Sequence, residues 1–137
     1  MKNLMKTFAL ALFMGVTTFA YGQQTSLKIF NASGCEVVIS RVYVVDCAHG
    51  TDQFIYPNIC ISPGGSATIP AVSSGSHEWG EVVVCLSDNC DVCPQTTACI
   101  DQPSSFVSCA SSVGAQTITG CCAATVDFLS PDEFAIY

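Results

Sequence analysis

From Leu27 onward, apolar and polar residues alternate in short runs punctuated by Gly, Pro, Asn and Ser, the two-residue period of β-strands. Residues 27–30 read as a first strand, ended by the turn chemistry of Asn31-Ala32-Ser33-Gly34. Asn31-Ala32-Ser33 also matches a glycosylation sequon, a match that is accidental in a bacterial chain and marks an exposed turn in a eukaryotic one. Residues 36–47 form the longest run. They place Val37, Ile39, Tyr43 and Val45 on one face and Val38, Val42 and Val44 on the other, as in a central strand. Arg41 falls on the first of these faces; its stem is expected to pack while its head reaches solvent or an acidic partner.

Residues 53–56 read as a short strand stopped by Pro57, and residues 59–62 pair briefly before Pro63-Gly64-Gly65 turns the chain. Residues 66–72 alternate but contain Pro70, which assigns them to a sheet edge. Residues 79–87 are a second central strand, with Trp79, Val83 and Cys85 on one face and Val82, Val84 and Leu86 on the other. Trp79 is therefore expected to pack against a disulfide formed by Cys85. Residues 88–103 have almost no apolar periodicity and read as a loop held by its cysteines. Four more β-leaning runs follow, at residues 105–109, 115–119, 123–129 and 133–137, and no run after residue 22 has a sustained helical period. The fold expected is all-β: a small, disulfide-stapled antiparallel β-sandwich, immunoglobulin-like in the broad sense, with a small β-barrel as the alternative.

Residues 1–22 break the pattern. Lys2 and Lys6 precede an apolar run over residues 8–16, then small and polar residues, the three parts of a secretory leader. Cleavage is expected after Gly22, or alternatively after Ala20, leaving one cysteine-rich β domain over residues 23–137. The apolar run is shorter than the about 20 residues a membrane span needs, so no membrane insertion is expected after cleavage. What remains carries Lys28 and Arg41 against all eleven acidic residues, a formal charge of −9 (two minus eleven). Such a surface repels phosphate backbones and anionic lipids, which argues against nucleic acid as a partner.

The ten cysteines change the picture most: Cys35, Cys47, Cys60, Cys85, Cys90, Cys93, Cys99, Cys109, Cys121 and Cys122. An even number in a short exported chain implies disulfides, in a pairing the spacing does not reveal, and a location in the periplasm or outside the cell. The C-x4-C-x2-C-x5-C spacing from Cys85 to Cys99 also resembles half of a zinc site, and Cys90-Asp91-Val92-Cys93 has redox-motif spacing. Export disfavours the first, and the lack of a helix start disfavours the second. Adjacent side chains on a strand point apart, so Cys121 and Cys122 are expected to bridge to different partners.

No motif here names an activity. His49 lies between Asp46 and Asp52, and His77 precedes Glu78, but no nucleophile elbow accompanies either, and both read as solvated loop histidines. Asp88, Asn89 and Asp91 are weak calcium candidates that are also ordinary turn formers. Tyr43, Tyr56, Trp79 and Tyr137 are candidates for a sugar- or peptide-stacking surface. The expected function is an exported, non-enzymatic binding or structural module of adhesion, cell-surface or matrix type, needing no cofactor and taking a protein or glycan ligand. The alternative is a secreted effector, such as a hydrolase inhibitor or toxin, acting through residues 88–103.

Overall fold

A computed structural model describes residues 25–72, 77–109 and 113–137; the expected secretory leader lies outside the described residues. Eleven strands follow one another among them: β1 (Leu27–Asn31), β2 (Glu36–Asp46), β3 (Thr51–Ile55), β4 (Ile59–Ile61), β5 (Ser66–Ile69), β6 (His77–Asp88), β7 (Asp91–Val92), β8 (Cys99–Pro103), β9 (Gln116–Thr119), β10 (Ala123–Ser130) and β11 (Glu133–Ile136). They make two sheets. One has the order β5-β1-β11-β10-β9; in the other β2 and β6 are central, flanked by β3 and β4 on one side and by β7 and β8 on the other. The protein is thus an all-β sandwich, with one sheet curled into a half-barrel. β5 ends just before Pro70 and occupies an edge, where a missing N–H leaves no gap in the ladder.

One pairing departs from the antiparallel arrangement. β1 runs parallel to β11, with Ile29 opposite Phe134 and Asn31 opposite Ile136. The two strands lie near opposite ends of the described chain, so no hairpin constrains their direction.

The sheets face each other across one apolar core. β1 contributes Leu27 and Ile29, β10 contributes Ala124, Val126 and Phe128, and β11 contributes Phe134 and Ile136. Phe128 and Phe134 meet edge to face, 5.0 Å between centroids. From the six-stranded sheet come Val37, Ile39, Val42, Val44, Trp79, Val82, Val84 and Leu86.

That last set corrects the strand faces read from simple alternation. The ladder between β2 and β6 slips twice, once between Ile39 and Arg41 and once between Tyr43 and Val44. A bulge adds one residue and so reverses which parity faces inward. At the first slip Ser40 is the extra residue on β2, so the core face passes from Val37 and Ile39 to Val42 and Val44. At the second Gly80 is extra on β6, so Trp79 shares the core with Val82, Val84 and Leu86 instead of sharing a face with Cys85. Trp79 is buried as expected, but its partner is different: its indole N–H donates to the Thr25 carbonyl at 2.9 Å.

Five disulfides bind the frame: Cys35–Cys122, Cys47–Cys109, Cys60–Cys90, Cys85–Cys99 and Cys93–Cys121. Cys121 and Cys122 lie in the turn between β9 and β10, and both reach toward the other sheet, one to the β7–β8 connection and the other to the start of β2. Residues 88–103 are not one loop. β7 and β8 both pair with β6, with Cys99 directly opposite Cys85 and Gln102 opposite Val82. Gln102 is fully buried; its amide donates to the Gly114 carbonyl and accepts from Gln116, linking the two sheets. Only the turn at residues 89–90 and residues 93–98 remain as connections. The polar residues that hid the strand are its outward-facing members and one buried amide with partners of its own. In the same way, residues 105–109 form turns where a strand was expected.

Candidate functional site

The inner face of the six-stranded sheet is spent on the core; its outer face is closed over Val38, Val83 and Cys85 and opens to solvent around Phe54, Tyr56 and Asp101. Register places the outward side chains in rows. Phe54 of β3 lies opposite Tyr43 of β2, which lies opposite Glu81 of β6; in the next row Arg41 lies opposite Val83, which lies opposite Asp101 of β8. The first bulge brings Arg41 and Tyr43 outward together. Both are half-buried, whereas Phe54 is 48% and Tyr56 65% exposed.

These residues form one contact network. The Arg41 guanidinium pairs through Nη2 with Glu81 Oε1 at 3.3 Å and with Asp101 Oδ2 at 3.8 Å. It also lies over the Phe54 ring, 5.2 Å from the centroid, and Phe54 packs on Tyr43 at 4.8 Å. Arg41, Tyr43, Phe54, Glu81 and Asp101 line a shallow depression of about 210 Å³. Its floor depends on Gly80: a Cβ there would come within 2.9 Å of the Tyr43 ring. The bulge glycine thus lets the tyrosine lie flat across the strand.

Electrostatics follow the geometry. Burial and the neighbouring Asp101 carboxylate push Glu81 above the usual carboxylate range, against the opposing pull of Arg41. A hydrogen bond to the Asp52 carboxylate, with lesser effects of burial and of the Asp52 and Glu81 charges, pushes the Tyr43 phenol up to about 12. A folded-state pKa above the unfolded value means this contact stabilises the protein fully below the ordinary phenol pKa of about 10 and is lost as pH rises toward 12. Absorbance titration of the phenolate should therefore contain a step near pH 12 that Tyr43→Phe removes and Asp52→Asn moves downward. A Tyr43 step at the ordinary phenol pKa would contradict the assigned contact.

Other residues singled out from the sequence fall elsewhere. His49 Nδ1 contacts Asp46 Oδ2 at 2.7 Å, and Asp46 also accepts the N–H groups of Ala48 and His49, so this carboxylate caps a turn. His77 pairs with Asp46 across the ladder, while Glu78 accepts the Ser108 N–H and hydroxyl. No serine hydroxyl is bonded to either imidazole among the described residues. Asp88, Asn89 and Asp91 surround a two-residue turn in which Asn89 and Cys90 have φ of 52° and 64°. Positive φ at both central positions is the mark of a tight hairpin turn, which accounts for these residue types. Among the described residues one trio has metal-ligand spacing, Glu36, Cys60 and Cys90, but its two sulfurs are bonded to each other. Cys90 and Cys93 have different partners, and no free cysteine remains for zinc or dithiol chemistry. Trp79 lies in the core, and Tyr137 is exposed at the chain end beyond β11, on the other sheet. The sequon is closed: Asn31 is buried, its amide bonded to carbonyls of residues 35, 61 and 62.

Phe54, Glu81 and Asp101 were not singled out in the sequence. Arg41 was the available signal, since an arginine within an apolar run calls for a carboxylate, and Glu81 and Asp101 answer it. Searches against protein-family models, characterised proteins and solved structures find no match to this chain. The five disulfides favour an oxidising compartment, extracellular or periplasmic. Among the described residues no helix is long and apolar enough to cross a membrane.

Proposed function

We propose that this protein is an exported, non-enzymatic binding module of the adhesion or cell-surface type, and that its working face is the outer surface of the six-stranded sheet. The observation that carries this reading is the network of Arg41, Tyr43, Phe54, Glu81 and Asp101. Exposed aromatic rings beside fixed charges are unnecessary to a core already closed on the opposite face. They are the kind of residue that dominates recognition surfaces. Two bridges within that sheet, Cys60–Cys90 from β4 across to the β6–β7 turn and Cys85–Cys99 between the paired strands β6 and β8, hold it rigid, so little order has to be gained on binding. The test is capture of the exported chain on immobilised extracellular glycans and matrix proteins, alongside a Phe54→Ala/Tyr56→Ala variant. The wild type should be retained and the variant lost, with thermal stability alike. Equal retention of both proteins would remove the working face from this assignment.

A second reading, a secreted inhibitor, rests on one observation: Pro94, Gln95, Thr96 and Thr97 are exposed between Cys93 and Cys99, each anchored by a bridge. Hydrolase-inhibition panels with these four residues replaced by Gly and Ser decide it.

A further inference from the structure

The depression around Arg41 carries enough chemistry to specify a ligand class, on the reading that the outer face is the working face. We propose that it is a single-sugar subsite, taking an uncharged pyranose ring of a glycan with its apolar face on Phe54 and its hydroxyls between the Arg41 guanidinium and the Asp101 carboxylate.

Three features lead there. First, donor and acceptor are fixed side by side. A guanidinium has five N–H donors, yet both contacts of Arg41 to acids are made by Nη2, and the contact to Asp101, at 3.8 Å, is longer than a hydrogen bond. Asp101 keeps 58% of its side chain exposed, with lone pairs to offer. A group that both donates and accepts fits between the two, and a hydroxyl does both. Adjacent ring hydroxyls repeat the match.

Second, part of the aromatic surface is open beside the Arg41 guanidinium that lies over it. Phe54 is 48% exposed, backed by Tyr43, and the C–H face of a pyranose is the apolar, slightly positive surface that an aromatic face attracts. The volume, about 210 Å³, is below the range of roughly 300–1,000 Å³ of pockets that bury a drug-sized ligand, so one ring is held at the surface while its chain runs on.

Third, other ligand classes meet a penalty here. An anionic ligand meets two carboxylates at the site and eleven acidic residues in the chain. A cationic side chain meets the like charge of the Arg41 guanidinium already lying over the Phe54 ring and paired with Glu81. An aliphatic side chain desolvates Arg41 and Asp101 and returns no hydrogen bond.

The test is calorimetric titration of the exported chain with cellohexaose, xylohexaose, mannohexaose and laminarihexaose, and separately with a lysine-rich decapeptide, at about 0.05 and 0.5 M salt. Salt over this range screens binding between charges and leaves hydroxyl recognition nearly unchanged. At least one neutral hexasaccharide should bind with little salt dependence, and Phe54→Ala and Asp101→Ala should each weaken it about tenfold or more. Both positions are exposed, and Asp101→Asn, which keeps the side-chain oxygen, should retain part of the affinity. Binding of the decapeptide alone, lost in Phe54→Ala, would overturn the sugar assignment and leave the working face standing. Saccharide binding indifferent to Phe54→Ala and Asp101→Ala, or no binding of any of these compounds, would overturn the subsite itself.

Discussion

Reduction of the five disulfides, without denaturant, is expected to abolish the cooperative fold. The bridges close loops with sequence separations of 87, 62, 30, 28 and 14 residues. In the chain-entropy account such loops contribute about 3 kcal/mol at the short end and nearly 5 at the long end. Even two or three of them rival the whole stability of a domain, about 5–15 kcal/mol. The order of loss is also set. Cys35→Ser/Cys122→Ser should cost about 4 kcal/mol, because that bridge closes the longest loop and ties the two sheets together. Cys85→Ser/Cys99→Ser should cost less, about 3 kcal/mol, because those strands are already paired by the ladder. Trp79 is the only tryptophan and is buried, so its fluorescence follows the transition directly. A reduced protein that kept a sharp Trp79 transition would place the stability in the core alone.

The second large effect centres on Asn31. Its Nδ2 donates to the carbonyls of Cys35, Ile61 and Ser62, with N···O distances of 2.7, 3.0 and 3.2 Å, and its Oδ1 accepts the Ser33 N–H and hydroxyl. One buried amide therefore satisfies backbone groups in two connections, after β1 and after β4. Asn31→Ala takes a donor from each of those carbonyls, of which that of Ser62 keeps the Gly65 N–H and that of Cys35 keeps the Ser33 hydroxyl within reach, and should cost about 3 kcal/mol in guanidinium unfolding. Asn31→Asp is expected to be worse than its similar shape suggests. It replaces the donor by a second acceptor facing the same carbonyls and buries a charge with no cation beside it. A loss within about 0.5 kcal/mol for Asn31→Ala would mean that the connections hold without it.

These two features differ in how far the chain announces them. Ten cysteines in an exported-looking sequence declare bridges by number alone, but nothing in their spacing separates one pairing from another. Pairing follows from which strands become neighbours; Cys85 meets Cys99 because β8 pairs with β6. Asn31 reads in sequence as a turn residue within a sequon. Its role depends on the turn after β4 lying against it, 30 residues away, a contact no local pattern encodes.

The outer-face site shows the same division. Arg41 stands out in an apolar run, and an acidic partner is a sound expectation. Which acids, and on which face, was decided by two bulges. Ser40 carries no sequence mark that distinguishes it from an ordinary strand residue, and Gly80, though a glycine inside a strand is a cue for a bulge, does not say where the register shifts; yet each inserts one position and reverses the parity of everything beyond. Simple alternation therefore placed Val37, Ile39, Arg41 and Tyr43 together, whereas the first pair lies in the core and the second outside it. Gln102 misled in the opposite direction, since a fully buried amide gives its strand a polar look.

By itself the sequence determined the class: an all-β chain whose two long apolar strands lie at the centre of a sheet, with disulfides supplementing a single small core. Composition and residue period are enough for that, because they act locally along each strand. The parallel pairing of β1 with β11, the bulges, the five bridges and the gathering of Arg41, Tyr43, Phe54, Glu81 and Asp101 were decided only by the tertiary structure. Each depends on which distant strands meet and in what register, and that is settled by the free energy of closing the whole core.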